Sequence, residues 1–300
     1  MNSDELIQRY QAGERDFSGV VLEHLVLSNI SLEEINLSSV NLESSELQNV
    51  NLHNANLSHV DLEGISWQNI DLTNADLTDT SYDHSTRENS NLTNANLTQM
   101  WGFQSTFNNC NLTGANISHA QLSEVSFDDC NLNNANFSHT IVGINLLGSN
   151  LSNTDFSYAQ IQDIFDWSKA NYTNINFQNA WYLSPQDIPS EIDPNEAGLI
   201  FVGPEADLSG KDLINIDLSS SNLSEVNFTN ANLTAANLSD TDLNDANFTN
   251  ANLENTDLSY SNLTNANLTN ANLNNANLNN VIFDNTIMPD GNIRNFDSDE

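Results

Sequence analysis

Apolar residues recur along this chain at every fifth position. The longest series runs Leu22, Leu27, Leu32, Leu37, Leu42, Leu47, Leu52, Leu57, Leu62, Trp67, Leu72, Leu77 and Tyr82. It resumes at Leu92 and Leu97 and passes through Phe107, Leu112, Ile117, Leu122, Phe127, Leu132 and Phe137 to Val142. After a slip of one residue it continues as Leu146, Leu151, Phe156 and Ile161, and a six-residue step then gives Trp167, Tyr172, Phe177 and Tyr182. A further run extends from Leu208 through Phe228, Phe248 and Leu268 to Phe283 and Met288. Two residues before these positions stands a small or β-branched residue, such as Val50, Ala55, Ala75, Ala95, Ala231 or Ala266. The residue just before is usually Asn or Asp, and the residue after is commonly Ser or Thr. The unit is written out in Ala266-Asn267-Leu268-Thr269-Asn270.

A period of five matches neither the helical repeat near 3.6 nor the strand repeat of 2. Asn, Asp, Ser and Thr in mid-run oppose an α-helix, because they compete for backbone hydrogen bonds. They suit turns, where Asn and Asp bond their own backbone. A turn every five residues winds the chain into a coil with one flat side per repeat. The Leu and the Ala two before it then point inward together, as alternate residues of an extended segment do. One coil cannot bury its leucines alone, so coils must stack. Rare residues recur at twice ten positions: Phe107 with Phe127, Cys110 with Cys130, His119 with His139, Phe228 with Phe248. That spacing is four repeats and favours a four-sided coil.

With these motifs the sequence resembles the pentapeptide-repeat proteins, whose unit is Ala-(Asp/Asn)-Leu-x-x. The resemblance covers about residues 17–182 and 206–288. It implies an all-β solenoid, a right-handed quadrilateral parallel β-helix of about 12 coils here, with a short N-terminal capping helix. The expected core includes Leu22, Leu42, Leu62, Phe107, Leu112, Phe127, Leu132 and Phe137 in the first block, and Phe228, Phe248, Leu268 and Phe283 in the second.

Breaks in the repeat punctuate the chain. Residues 1–16 hold a predicted capping helix over 3–12, with Ser3 as its cap, Asp4 and Glu5 in its first turn, and Gly13 as its stop. Such a helix covers the open end of the first coil. Residues 183–205 break the pattern and carry four of the five prolines, Pro185, Pro189, Pro194 and Pro204. They read as a linker or protruding loop between two blocks, either a plain connector or a target-contacting loop. Residues 289–300 form a turn and an acidic tail.

Two positions depart from the leucine pattern. Arg87 stands in the column Leu27, Leu47, Trp67, Arg87, Phe107, Phe127. A buried unpaired Arg is costly, so either the stretch 83–91 bulges and expels it, the favoured reading, or it stacks on Trp67 or Phe107. Gly102 also occupies a leucine position, with Tyr82 or Trp101 to fill the space. Residues 82–107 are therefore the least uniform coils. Cys110 and Cys130 are expected one coil apart as buried free thiols. His119 and His139 are expected to stack on an outer corner, with no further ligand to complete a metal site.

Charge then narrows the function. Six basic residues oppose 41 acidic ones, for a formal net charge of −35. Nucleic acid and anionic membrane surfaces are excluded as partners. Basic surfaces and DNA-binding proteins remain. The start of the chain lacks an apolar leader, no apolar run is long enough to span a bilayer, and two cysteines make no disulfide framework, which places the expected site of action in the cytoplasm. No Gly-rich phosphate loop, His-Glu-x-x-His or nucleophile elbow is present, so neither catalysis nor a cofactor is expected.

The leading expectation is a non-enzymatic scaffold or protein-interaction module with an unidentified protein partner. An alternative is an acidic mimic of DNA. Fifty repeats stacked four to a coil would carry about one net negative charge per 2.3 Å of axis, against about one per 1.7 Å in B-DNA. Some proteins of the resembled family bind DNA gyrase and protect it from quinolones or inhibit it. They dimerise through a C-terminal helical segment, whereas this chain ends in a turn and a tail. The aspartates before the leucines, Asp61, Asp71, Asp76, Asp155, Asp207, Asp217, Asp242 and Asp257, are the candidate partner-binding residues. A third reading is cation or surface binding by outer Asn, Thr and Asp ladders. Mimicry requires the carboxylates along one or two sides; a scaffold spreads them and makes contact at irregular patches.

Overall fold

The computed structural model describes residues 1–22, 24–43, 45–164 and 166–295. They divide into two compact units, Met1–Ile200 and Phe201–Glu300. Each is a parallel β-solenoid built from the five-residue unit.

The turn chemistry explains the winding. Leu72 O accepts from Ala75 N at 2.9 Å, closing a four-residue turn whose third residue, Asn74, has φ 55°. A positive φ at that place is the type II signature, and Asn and Gly tolerate it best. The same conformation recurs at Asn54, Asn94, Asn134, Asn230, Asn250 and Asn270. The Asx residue before the leucine fixes the other end. Asn56 Oδ1 accepts from Ser58 N at 3.0 Å and from the Ser58 hydroxyl at 2.8 Å.

Between coils the backbone forms a parallel ladder at a step of twenty. Asp76 N donates to Ala55 O at 2.9 Å, and Leu77 N donates to Asn96 O at 2.7 Å. The column Asp16, Asn36, Asn56, Asp76, Asn96, Asn116, Asn136, Asp155, Asn176 has nine members, so the first unit holds about nine turns. In the second unit the longest column is Asp207, Asn227, Asn247, Asn267, Ile287. The expected count of about 12 coils treated all repeats as one stack; the division into two units replaces it. The step shortens to 19 between Asn136 and Asp155 and lengthens to 21 between Asp155 and Asn176. These are the slip and the six-residue step visible in the sequence.

Two adjacent sides of the first unit are regular enough to form strands: β1 (Val26–Ser31), β2 (Glu46–Asn51), β3 (Ser66–Gln68), β4 (Thr86–Glu88), β5 (Trp101–Phe103), β6 (Thr106–Asn108), β7 (Gln121–Asp128), β8 (Ile141–Asn145), β9 (Gln160–Ile164) and β10 (Trp181–Tyr182). All the pairings among them are parallel. β7 is long because it runs across a corner and pairs with both β5 and β6.

Leucines and phenylalanines fill the interior. Leu22, Leu42, Leu62, Phe107, Leu112, Phe127, Leu132, Phe137, Phe228, Phe248, Leu268 and Phe283 are all buried. Each such burial contributes about 1.5–3 kcal/mol. Phenylalanines one coil apart stack in parallel, at 4.9 Å for Phe107–Phe127 and 5.0 Å for Phe228–Phe248.

Arg87 is a correction: it is not expelled by a bulge. β3, β4 and β6 keep unbroken register, with Trp67, Arg87 and Phe107 as partners. The guanidinium lies fully buried, its Cζ 3.9 Å from the Tyr82 ring centroid, 5.0 Å from Phe107 and 5.3 Å from Trp67. Arg87 Nη1 donates to Ser85 Oγ at 2.7 Å. A flat, weakly hydrated guanidinium between aromatic faces loses less on burial than an ammonium would. Gly102 is likewise not covered by Trp101, whose side chain is 52% exposed. A Cβ at Gly102 would meet Val125 Cγ2 at 3.1 Å and Leu122 Cδ2 at 3.4 Å, so the next coil fills the space.

The ends of the first unit are dressed by non-repeat chain. Helix α1 (Ser3–Gln11) is capped by Asn2, not Ser3: Asn2 Oδ1 accepts from Glu5 N at 2.9 Å. Ser3 Oγ instead accepts from Val26 N at 3.1 Å, tying the helix to the first coil, and Leu6 is fully buried beneath it. At the other end a 3-10 turn (Pro185–Asp187) and the short α2 (Pro194–Ala197) fold back on the last coil. Trp167 Nε1 donates to Asp187 O at 2.9 Å, Asn179 N to Gly198 O at 2.9 Å, and Ile188 and Leu199 are buried. The Pro-rich stretch is thus packed over most of its length.

Candidate protein-interaction surface

Most of the outer surface is a set of hydrogen-bonded side-chain ladders. Asn49 Nδ2 donates to Asn29 Oδ1 at 2.9 Å, and Asn69 Nδ2 donates to Asn49 Oδ1 at 2.8 Å. Each rung takes up one N–H donor and one acceptor lone pair of the amide and fixes its orientation.

Seven of the eight candidate aspartates accept from an Asn one coil on, and Asp61 is engaged only in its own turn. Asp71 Oδ1 accepts from Thr73 N at 3.0 Å and from the Thr73 hydroxyl at 2.6 Å. Asp76 does the same with Thr78 and accepts from Asn96 Nδ2 at 3.2 Å. Asp61 accepts from Glu63 N, and Asp155 from Ser157 N and Asn176 Nδ2. Asp207, Asp217, Asp242 and Asp257 accept from Asn227, Asn237, Asn262 and Asn277 one coil on. The Ser209 and Ser259 side chains, then the backbone N–H groups of the same serines, hold Asp207 and Asp257 below the usual aspartate range. The structure does not bring the eight together. Asp61 lies in the column of Asn41 and Ser81, Asp71 in that of Asn51 and Asn91, and Asp76 and Asp155 share that of Asp16. In the second unit Asp207, Asp217 and Asp242 start or join three further separate columns.

Cys110 and Cys130 are free and buried. Hydrogen bonding with Cys110 and burial push the Cys130 thiol up, which keeps it protonated. His119 and His139 stack at 5.0 Å, and the stack continues to Tyr158 at 4.9 Å. His59 Nδ1 lies 2.9 Å from Asp79 Oδ2 on the same kind of corner. Among the described residues no group of three or more His, Cys, Asp or Glu could hold a metal. Among them, too, no helix is long and apolar enough to cross a membrane.

One side of the first unit is different. Trp101 (52%), Phe103 (39%) and Tyr158 (52%) are exposed there or on its bordering corner. His84 packs edge-on against Phe103 at 5.4 Å. Next to Phe103 lies a groove of about 510 Å3, lined among others by Ser123, Glu124, Ser126 and Gly143. The groove coincides with the register shifts of β8 against its neighbours, where the chain is one residue short. The sequence marked coils 82–107 as irregular but gave no sign that Trp101 points outward. Trp101 precedes the leucine position, a place that lies on the outer side of the coil in most repeats, which is the signal that could have found it.

No curated protein sequence matches the chain. Solved structures that resemble it include HetL, a pentapeptide repeat protein involved in heterocyst differentiation regulation from the cyanobacterium Nostoc sp. PCC 7120, at 24% identity over 98% of this chain and 100% of that one, TM-score 0.32. QnrB1, a plasmid-mediated fluoroquinolone resistance protein, matches at 16% identity over 60% of this chain and 90% of that one, TM-score 0.28. A pentapeptide repeat protein of the Arabidopsis thaliana thylakoid lumen matches at 22% identity over 38% and 67%, TM-score 0.18. The family pattern of pentapeptide repeats itself matches in eight copies, over residues 16–54, 55–81, 105–142, 130–164, 212–250 and 246–285. These matches span more than half of the sequence, and the chain belongs to the pentapeptide-repeat family.

Proposed function

We propose that this chain is a non-enzymatic protein-interaction module acting in the cytoplasm. The observation that carries the reading is the contrast on its surface. Hydrogen-bonded Asn, Asp, Ser and Thr ladders run along the outer surface, while exposed Trp101 and Phe103 stand together on one side of the first unit, with Tyr158 on its bordering corner. Exposed aromatic clusters on an otherwise polar surface are characteristic of contact sites. The carboxylate distribution supports the same reading over a DNA mimic. Mimicry calls for a stripe, and the eight aspartates lie in several separate columns and are engaged in turns and ladders.

The test is site-specific photocrosslinking in cells of the source organism, with a photoreactive phenylalanine at Ser123 or, on other sides, at Asn54 or Ser38. A discrete adduct from Ser123 with none from the other two is the expected outcome. Absence of an adduct from all three positions would remove the reading.

A further inference from the structure

We infer that the side of the first unit bearing Trp101 and Phe103 docks an extended, arginine-bearing segment of a partner protein. The inference rests on the interaction-module reading and names its surface and its ligand.

The shape comes from one column of shrinking side chains. Phe103 is in register with Ser123 on the next coil. Gly143 follows, close enough that a Cβ on it would lie 3.6 Å from Ser123 Cα. Bulk therefore falls away from Phe103 to serine to glycine, and the groove opens where it does. Beside it the His119–His139–Tyr158 stack stands along the preceding corner as a wall. From Trp101 to Gln162 is three coil steps, roughly 14 Å, the span of about four extended residues. That length matches a short extended segment.

The chemistry points to arginine. The indole of Trp101 offers a π face, the best aromatic partner for a cation. Carboxylates lie by Phe103, two residues along the same strand. Asp83 Oδ1 accepts from Phe103 N at 2.9 Å, leaving its second oxygen free of that bond, and Glu124 stands at the groove's edge with Gln104 Nε2 2.8 Å away. A guanidinium presents five N–H donors in a planar fork to carboxylates such as Asp83 and Glu124. The unit has no cation of its own to supply them: Arg9 pairs with Glu14, Arg15 lies over Tyr10, Arg87 is interior, and Lys169 sits at a different corner, in line with Gly148. A net charge of −35 attracts cationic segments generally; the indole and the groove select among them.

The test uses the full chain and a fluorescein-labelled peptide of alternating arginine and serine, about twelve residues long, followed by anisotropy at near-physiological salt. Trp101→Ala and Ser123→Phe, both on the surface, are expected to weaken binding about tenfold or more while circular dichroism is unchanged. Glu34→Gln, a charge removed on another corner, is expected to stay within about twofold. The matched lysine-serine peptide is expected to bind about tenfold more weakly. Equal binding of the two peptides, or indifference to Trp101→Ala, overturns the proposal, because attraction would then be unselective. Self-association in sedimentation equilibrium that Trp101→Ala abolishes would also overturn it, by assigning the face to a second copy. If the peptide test fails while Ser123 still crosslinks to one protein, the module reading stands and only the arginine assignment falls.

Discussion

At the scale of the residue, Arg87 shows how a repeat tolerates a foreign side chain. It replaces a leucine without displacing the backbone, because its stem fills the column and its head stacks on Tyr82, Trp67 and Phe107. Nε and Nη2 find no acceptor, and burial lowers its pKa to about 10. It remains charged at neutral pH, so the coil carries an unpaired cation. Replacing a buried charge by an apolar side chain of similar volume is often neutral or stabilising by about 1–4 kcal/mol. Arg87→Met is therefore expected to unfold at equal or higher denaturant concentration than the parent. A loss of more than about 2 kcal/mol would mean that the aromatic cage outweighs the desolvation. The pH dependence has a definite sign. A base whose folded pKa lies below its unfolded value binds fewer protons folded than unfolded between the two, so stability rises with pH from about 10 upward. That rise is absent in Arg87→Met.

At the scale of the element, the repeat was legible and its exceptions were not. The fivefold leucine period, the step of twenty, and the register changes after Val142 and before Trp167 all follow from turn chemistry that acts within one repeat. The fate of Arg87 depended on Trp67 and Phe107, twenty residues to either side, and on Tyr82 at the leucine position of the preceding repeat. The helix cap moved from Ser3 to Asn2 because Ser3 is engaged by Val26 in the first coil. Most of the candidate aspartates illustrate the same limit: their spacing was plain, but only stacking reveals that an Asn side chain one coil on donates to their Oδ1. The end-cap is open to a direct test. In a solenoid each coil is stabilised mainly by its neighbours, so damage at an end stays local. Leu6→Asp, which places a charge where α1 covers the first coil, is expected to speed amide hydrogen exchange over residues 17–40. Residues 206–288 are expected to exchange as before. Uniform acceleration along the chain would show instead that the coils unfold as one cooperative unit.

At the scale of the whole molecule, two effects of protonation compete. With 41 acidic residues against six basic ones, the folded chain is under strong like-charge repulsion at neutral pH, and the compact state suffers more from it than the expanded one. Lowering the pH relieves this repulsion as the ordinary carboxylates begin to protonate. Other carboxylates oppose it. Asp16, Asp207 and Asp257 are held below 3.8 chiefly by the hydroxyls of Ser18, Ser209 and Ser259, then by the backbone N–H groups of the same residues. A depressed folded pKa contributes stability that is present above the unfolded value and lost as pH falls through the folded one. The first effect acts mainly above about pH 4 and the second below it. At low salt the melting temperature is therefore expected to rise from pH 7 towards about pH 5 and to fall below about pH 4. Added salt screens exposed charges within about 10 Å, so it flattens the rising limb. It leaves the falling limb, which arises from short hydrogen bonds in the turns. Calorimetry across this range at two salt concentrations separates the two. A melting temperature that declines steadily from pH 7 at low salt would mean that the Asx turns, rather than net charge, govern stability throughout.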